Sequence, residues 1–398
     1  MSCSLGALGL VTTLGDDLAS SWQALRAGEV TTLRSRSHLV PGEALLVGDV
    51  VADLEPCPET LARHACRNNL LSLRALRQME GAVHEALRGV RADRVGVVMG
   101  SSTAGMSSAE AAVAARQRSD ALPPEFDYSQ MELGGVAEFV ADWLGVSGPC
   151  YTISTACSSG ARALASARSL LTMDLCDVVI AGGTDSLCAT TANGFAALKA
   201  LTDRPSLPFS QNRSGFTLGE GSAIFLVTRN GGGVQLAGVG ESSDAHHMSA
   251  PQPDGIGAEA AMRAALHDAG IPPDAIQYIN LHGTGTALND VVEGKAVHRV
   301  FGDRIVCSST KPLLGHTLGA SGAIEAAVCW LTLRAIQDET LAVPPHHWDE
   351  VRDPQIPTLR LARRGDVVPV EGSRAYVMSN SFGFGGNNCA LVLATAGT

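Results

Sequence analysis

The sequence predicts an α/β fold. Three observations carry that expectation: β-branched apolar runs end in Gly or Ser, small-residue segments at helical spacing lie between them, and the pattern restarts in mid-chain. The runs RVGVVMGSS (94–102) and CDVVIAGGTDSL (176–187) read as buried strands. Between them, SGARALASARSLLTM (159–173) repeats Ala161, Leu164, Ala165, Arg168 and Leu171 at helical spacing. Strand, helix and strand in that order predict a crossover unit. The opening MSCSLGALGLVTTLGDDLAS has no basic residue before Arg26 and reads as a buried strand and turn, not a signal peptide.

A further strand is expected at GSAIFLVTRN (221–230), after which GGGVQLAGVG (231–240) begins the pattern again. The boundary between two halves is therefore expected at 230/231, giving units 1–230 and 231–398. The second half should carry a helix over 257–269, a strand at IQYINLHG (276–283), a helix around 319–336 and a strand pair around 374–394.

Composition narrows the function classes. Hydrophobic residues make up 45% of the 398 and charged ones 17%, enough for a sizeable core. A formal charge of -11 argues against a general nucleic-acid or anionic-membrane binder. No uncharged apolar run reaches the roughly 18 residues of a membrane span. The ten cysteines form no CxxC pair and no zinc-finger spacing, so free thiols in a reducing cytoplasm are expected, with no metal.

One cysteine stands apart. TISTACSSGARALASA (152–167) places Cys157 where an extended stretch turns helical. A helix beginning there would surround the thiol with unpaired N–H groups and favour thiolate. Its small neighbours leave room for an attacking trajectory and an acyl group. A buried inert thiol is the plainer reading, and the one given to the other nine. A hydrolase elbow is disfavoured, because Thr155 and Ser159 stand where that motif has glycines.

Two histidines also stand apart. His282 in YINLHGTGTALND and His316 in SSTKPLLGHTLGASGAIEAA are each expected to end a strand-like run and enter a loop free of bulky side chains. Chemistry gathers outside the carboxyl ends of strands in such sheets. Neither has a partner at metal-ligand spacing. His38, His84, His267, His298, His346 and His347 read as ordinary core or surface residues, and His246 and His247 stay open. In SNSFGFGGNNCALVL, the glycines 383, 385 and 386 permit either a tight hairpin turn or close approach to a ligand.

Taken together, a cysteine at a strand-to-helix corner, HGTGT, KPLLGH followed by a glutamate, and a terminal GFGG loop resemble the β-ketoacyl-acyl carrier protein synthases. The likeness runs over nearly the whole chain. It implies the thiolase fold: two similar halves, each with a five-stranded mixed sheet, layered α-β-α-β-α. It implies an acyltransferase in which Cys157 accepts an acyl chain, while His282 and His316 stabilise the enolate formed when malonyl-carrier protein loses carbon dioxide. By the same resemblance, the backbone N–H groups of Cys157 and Phe384 form an oxyanion hole and Phe384 gates the pocket. Lys311 and Glu325 organise the His316 side, and Thr284 and Thr286 hold the phosphopantetheine arm. No diffusible cofactor is implied, since the substrates ride on acyl carrier protein.

Thr103 stands at the far end of the implied acyl pocket, where elongating relatives commonly carry isoleucine or glycine. The closing loop reads GFGGNN in place of the commoner GFGGTN, and the RNN and GSSTAG contexts are closer to ketosynthases of aryl polyene pathways. Arg63 and Arg67, with Arg74 and Arg77, form the expected landing patch for an acidic carrier protein. A homodimer is expected, or a heterodimer with a chain-length partner. A thiolase is disfavoured because Cys389 is followed by Ala390 and Leu391, and a non-catalytic chain-length partner because the nucleophile is present.

Overall fold

The computed structural model describes residues 3–229, 231–370 and 372–397. Its main sheet runs, edge to edge, through Arg360–Leu361, Val306–Ser308, Ile276–Asn280, Tyr376–Gly383, Asn387–Thr395, Val234–Ser243, Cys3–Val11, Gly221–Thr228, Val178–Asp185, Val95–Gly100 and Cys150–Ile153. The seam lies between Cys3–Val11 and Val234–Ser243, which pair antiparallel at only three positions, Cys3 with Leu236 through Leu5 with Val234.

Moving outward from that seam, the two sides are built alike. Cys3–Val11, Gly221–Thr228 and Val178–Asp185 are successively antiparallel, and Val95–Gly100 and Cys150–Ile153 then continue in parallel. On the other side, Val234–Ser243, Asn387–Thr395 and Tyr376–Gly383 are antiparallel, and Ile276–Asn280 and Val306–Ser308 continue in parallel. Each half therefore places its first, fifth, fourth, second and third strands in that order, the topology of the thiolase fold. The second half adds a two-residue edge strand, Arg360–Leu361, beyond the five expected.

Helices complete the layers. Arg67–Gln78 and Gly135–Leu144 cover one outer face, and Ile256–Ala269 with Ala287–Phe301 the other. Between the halves lie Ser159–Thr172 and Ser321–Arg334, packed against each other and against both sets of strands. The second of these is buried on every side from Ser321 to Leu333. Its SGAIEAAVCWLTL sequence lacks a polar stripe, as a central helix should.

Glycine sets how closely these helices meet. A Cβ on Gly160 would lie 2.7 Å from the Ala323 nitrogen and 2.8 Å from its Cβ, and one on Gly322 would lie 2.7 Å from the Ala161 nitrogen and 2.8 Å from its Cβ. The contact is reciprocal, so neither position tolerates a side chain without displacing the other helix. Gly160→Val should therefore cost about 1 to 3 kcal/mol of stability in denaturant unfolding. Gly194→Ala, at a helical glycine with open space around its missing Cβ, should be neutral or gain up to about 1 kcal/mol. Equal stability of the two variants would contradict the close-packing account.

Candidate active site

The corner at Cys157 is built by short hydroxyl side chains. After the strand Cys150–Ile153, Ala156 takes a left-handed backbone conformation with φ of 54°. Such a conformation costs an ordinary residue about 1 kcal/mol or more, so local bonds must hold it. Ser159 Oγ donates to the Ala156 carbonyl at 2.6 Å, Ser158 Oγ donates to the Thr155 carbonyl at 2.9 Å, and the Thr155 N–H donates to Ser159 Oγ at 2.9 Å. The hydroxyls flanking the cysteine thus tie the elbow.

The helix begins at Ser159, two residues after Cys157. Burial pushes the Cys157 thiol up to about 11, against the pull of the Lys311 charge and the Phe384 amide. This corrects the expectation of a thiolate sustained by the helix terminus. Desolvation outweighs the helix end, and the resting sulfur is a protonated thiol near neutrality.

Distant segments meet at this sulfur. His316 Nε2 lies 3.1 Å from Cys157 Sγ, and ligating atoms of Cys157, His282 and His316 all fall within 4.8 Å of one another. The two imidazoles stand edge to face with centroids 5.6 Å apart. His282 follows the strand Ile276–Asn280 as expected. His316 does not end a strand: it follows the short helix Lys311–Leu314, and its backbone bridges to Leu218. That bridge comes from the first half of the chain and has no local sequence signal.

Both imidazoles are neutral, their pKa values pushed well below the usual range by burial first and by Lys311 second. Their partners also fix their tautomers. Lys311 Nζ donates to His282 Nδ1 at 3.3 Å, and the Leu318 N–H donates to His316 Nδ1 at 3.3 Å. Each ring therefore carries its proton on Nε2, which leaves two N–H donors at the site. Lys311 also binds the His282 carbonyl and Glu325, and Glu325 accepts from Ser321 Oγ at 3.2 Å. The Lys311–Glu325 pair thus organises the His282 side, correcting its expected assignment to His316. Three S and N atoms could suit a metal ion, but the ammonium beside His282 opposes a divalent cation.

A cavity of about 370 Å³ leads to the sulfur and is lined in part by Cys157, His282, His316, Thr284, Thr286 and Phe384. The Thr284 and Thr286 hydroxyls lie 2.9 Å apart. Phe384 begins the single turn Phe384–Gly386 and meets Phe195 edge to face at 5.8 Å. Phe195 touches Phe216, which touches His316, so the Phe384 ring connects to the His316 imidazole through aromatic edges. Asn387 in the GFGGNN loop donates from Nδ2 to the Phe384 carbonyl at 3.0 Å.

Five expected contributors are engaged elsewhere. Thr103 does not line this cavity; it is buried and its hydroxyl donates to Asp185 at 2.9 Å. Arg67 is paired with buried Glu220 at 2.5 Å, and Arg63 with Asp142 at 2.8 Å. Arg74 and Arg77 are also paired, with Asp16 at 2.6 Å and Glu80 at 3.0 Å. The predicted basic patch is neutralised within the chain, because each guanidinium folds onto a carboxylate remote in sequence or one turn away.

Two supporting carboxylates were missed. Glu293 accepts the His282 and Gly283 N–H groups at 2.8 and 2.7 Å, and burial raises its pKa to about 7. Asp290 accepts from the Gly285 N–H at 3.1 Å and from the Phe209 N–H at 2.8 Å. Their i, i+3 spacing just after HGTGT was the available signal.

Family models for the β-ketoacyl synthase N-terminal and C-terminal domains match residues 63–231 and 234–343. The chain belongs to the β-ketoacyl synthase family. It is 32% identical to 3-oxoacyl-[acyl-carrier-protein] synthase 2 of Staphylococcus aureus, covering 97% of this chain and 98% of that one. The Coxiella burnetii synthase 2 is likewise 32% identical, over 97% of each chain. Among solved structures, the ketosynthase ApeO of Xenorhabdus doucetiae, in complex with its chain length factor ApeC, is 42% identical with a TM-score of 0.93, covering 99% of this chain and 98% of that one. A β-ketoacyl synthase from Burkholderia phymatum is 28% identical with a TM-score of 0.85 over 99% of both chains.

The thiol pKa sets a pH signature. Alkylation of Cys157 by iodoacetamide, followed at peptide level, should keep rising with pH from 7 to 10, because thiolate accumulates only toward pH 11. A midpoint at about pH 8.5 with a plateau above about pH 9.5, the behaviour of an unperturbed thiol, would contradict the burial account.

Proposed function

We propose that the protein is a β-ketoacyl-acyl carrier protein synthase that performs decarboxylative Claisen condensation. The observation that carries this reading is the pair of neutral Nε2–H imidazoles converging on one buried sulfur at the end of a cavity. Cys157 Sγ attacks the thioester carbonyl of an acyl-carrier protein as its proton passes to the departing carrier sulfur, which leaves as the thiol, with the oxyanion held by backbone N–H groups of Cys157 and Phe384. The His316 Nε2–H, which faces the free sulfur at rest, stabilises the thiolate as it forms.

Once acylated, the sulfur no longer engages that donor. Malonyl-carrier protein enters with its phosphopantetheine arm along Thr284 and Thr286, past the Phe384 gate. Cleavage of its carboxyl bond releases carbon dioxide and places negative charge on the thioester oxygen, which accepts from His282 and His316. The enolate carbon then forms its bond to the acyl carbonyl carbon. The carbon–sulfur bond breaks, giving a β-ketoacyl thioester and the Cys157 thiolate, which takes up a proton from solvent to return the resting thiol. Charge that appears only near the transition state is where preset donors accelerate most.

No ionised side chain is required at the reacting atoms, so Lys311 serves by orienting His282 and Glu325 by holding Lys311. The units 1–230 and 231–398 act together, the first supplying the nucleophile and the second both histidines. The RNN and GSSTAG contexts support an aryl polyene-type pathway, and likeness to ApeO, solved with its chain length factor, supports pairing with a chain-length partner, with a homodimer as the other assembly. The free thiols support a reaction in the cytoplasm on carrier-bound substrates.

Incubation with acyl- and malonyl-carrier proteins, followed by product mass, tests the reading. Cys157→Ala should abolish the acyl-enzyme. His316→Ala should retain acylation within about tenfold while condensation falls about a hundredfold or more, the cost of removing one oxyanion donor. Equal loss of both half-reactions would overturn the division of roles.

A further inference from the structure

His316 has no counterpart to Lys311. Its Nδ1 is held by one backbone amide, that of Leu318, and Leu318 itself sits in the left-handed region with φ of 49°. A branched side chain does not adopt that conformation without support. Support arrives at the next residue. The Gly319 N–H donates to Asp185 Oδ2 at 2.5 Å, and a Cβ on Gly319 would lie 2.7 Å from that oxygen.

Asp185 ends the strand Val178–Asp185 in the other half of the chain and is fully buried. Its second oxygen accepts from Ser101 Oγ at 2.7 Å, the Ser102 N–H at 2.8 Å, the Thr103 N–H at 2.9 Å and Thr103 Oγ1 at 2.9 Å. No cation pairs with Asp185 among the described residues. Backbone N–H groups can only donate, so the carboxylate is seated as an acceptor within a cradle of donors. The cradle is the GSST segment that otherwise has no place in the chemistry.

We propose that Asp185 is a positioning residue for His316: by anchoring Gly319 it holds Leu318 left-handed, and the Leu318 N–H then keeps the His316 proton on Nε2. The carboxylate joins the strand ends of the first half to the loop of the second half that carries the imidazole. Asp185→Asn keeps the shape but turns one acceptor into a donor facing other donors. The Gly319 anchor then weakens and Nδ1 of His316 loses its fixed partner.

The inference rests on the ketosynthase reading for the role of His316, and its test is chosen to separate the two. In the full-length protein labelled with 15N-histidine, long-range proton–nitrogen correlations report the tautomer of each ring, with His316→Ala supplying the assignment. The wild type should show His316 and His282 as Nε2–H tautomers. Asp185→Asn should convert His316 to a mixture and leave His282, held by Lys311, unchanged, while kcat for condensation falls about tenfold and KM for acyl-carrier protein stays within about twofold. If Asp185→Asn does not fold, Thr103→Ala removes one donor from the cradle and should shift the His316 tautomer in the same direction by less. An unchanged His316 tautomer, or equal changes at both histidines, overturns the proposal even if condensation falls. A shifted tautomer with undiminished condensation overturns instead the role given to His316.

Discussion

The close approach of the two central helices is the constraint on which the site depends. Gly160 and Gly322 each face an alanine of the opposite helix, with no room for a Cβ between them. Cys157 lies three residues before Gly160, and His316 six before Gly322. Any side chain at the crossing would push the helices apart and carry the sulfur away from the imidazole it meets at 3.1 Å. The halves share only three paired positions at the sheet seam, so helix packing, together with the bridge between Leu218 and His316, fixes the sulfur–imidazole distance.

That packing also removes water, and dehydration shapes the electrostatics. Both imidazoles are kept neutral and the thiol protonated, so no unpaired charge rests at the reacting atoms. The Lys311 ammonium is matched by Glu325 and turned toward the back of His282. In the proposed condensation, charge arises in the cavity only as the reaction makes it: first on sulfur, then on the enolate oxygen. A preset neutral donor meets it in each case, and in a dry site such a donor is worth more than in water. One N–H, that of His316, can serve both steps because acylation frees it from sulfur before the enolate forms.

The pieces legible in the sequence were those whose signal is local. Buried runs and small-residue helical segments gave the alternation of strand and helix, and four ordered motifs gave Cys157, His282 and His316. What sequence could not carry were pairings across the fold. Arg67 reads as a surface cation in its own helix, yet its partner Glu220 is 153 residues away and buried. Lys311 is nearer His316 along the chain, but the turn at Gly315 separates them and aims the ammonium at His282. Thr103 was expected in an acyl pocket by position, whereas its hydroxyl answers a carboxylate 82 residues on. The thiol pKa was misjudged for a related reason: the helix end is visible in sequence and the depth of burial is not.

A common device emerges once these pairings are known. The backbone that carries His282 is held by Glu293, and the loop that carries His316 is held through Gly319 by Asp185. Each carboxylate is buried at a desolvation cost of several kcal/mol, offset in the main by converging N–H and O–H donors. Amide and hydroxyl donors satisfy each anion without adding a further ionised group to the dry site. The chain thus fixes two imidazoles with negative groups set behind their backbones, and leaves both Nε2–H faces free for the anion the substrate will become.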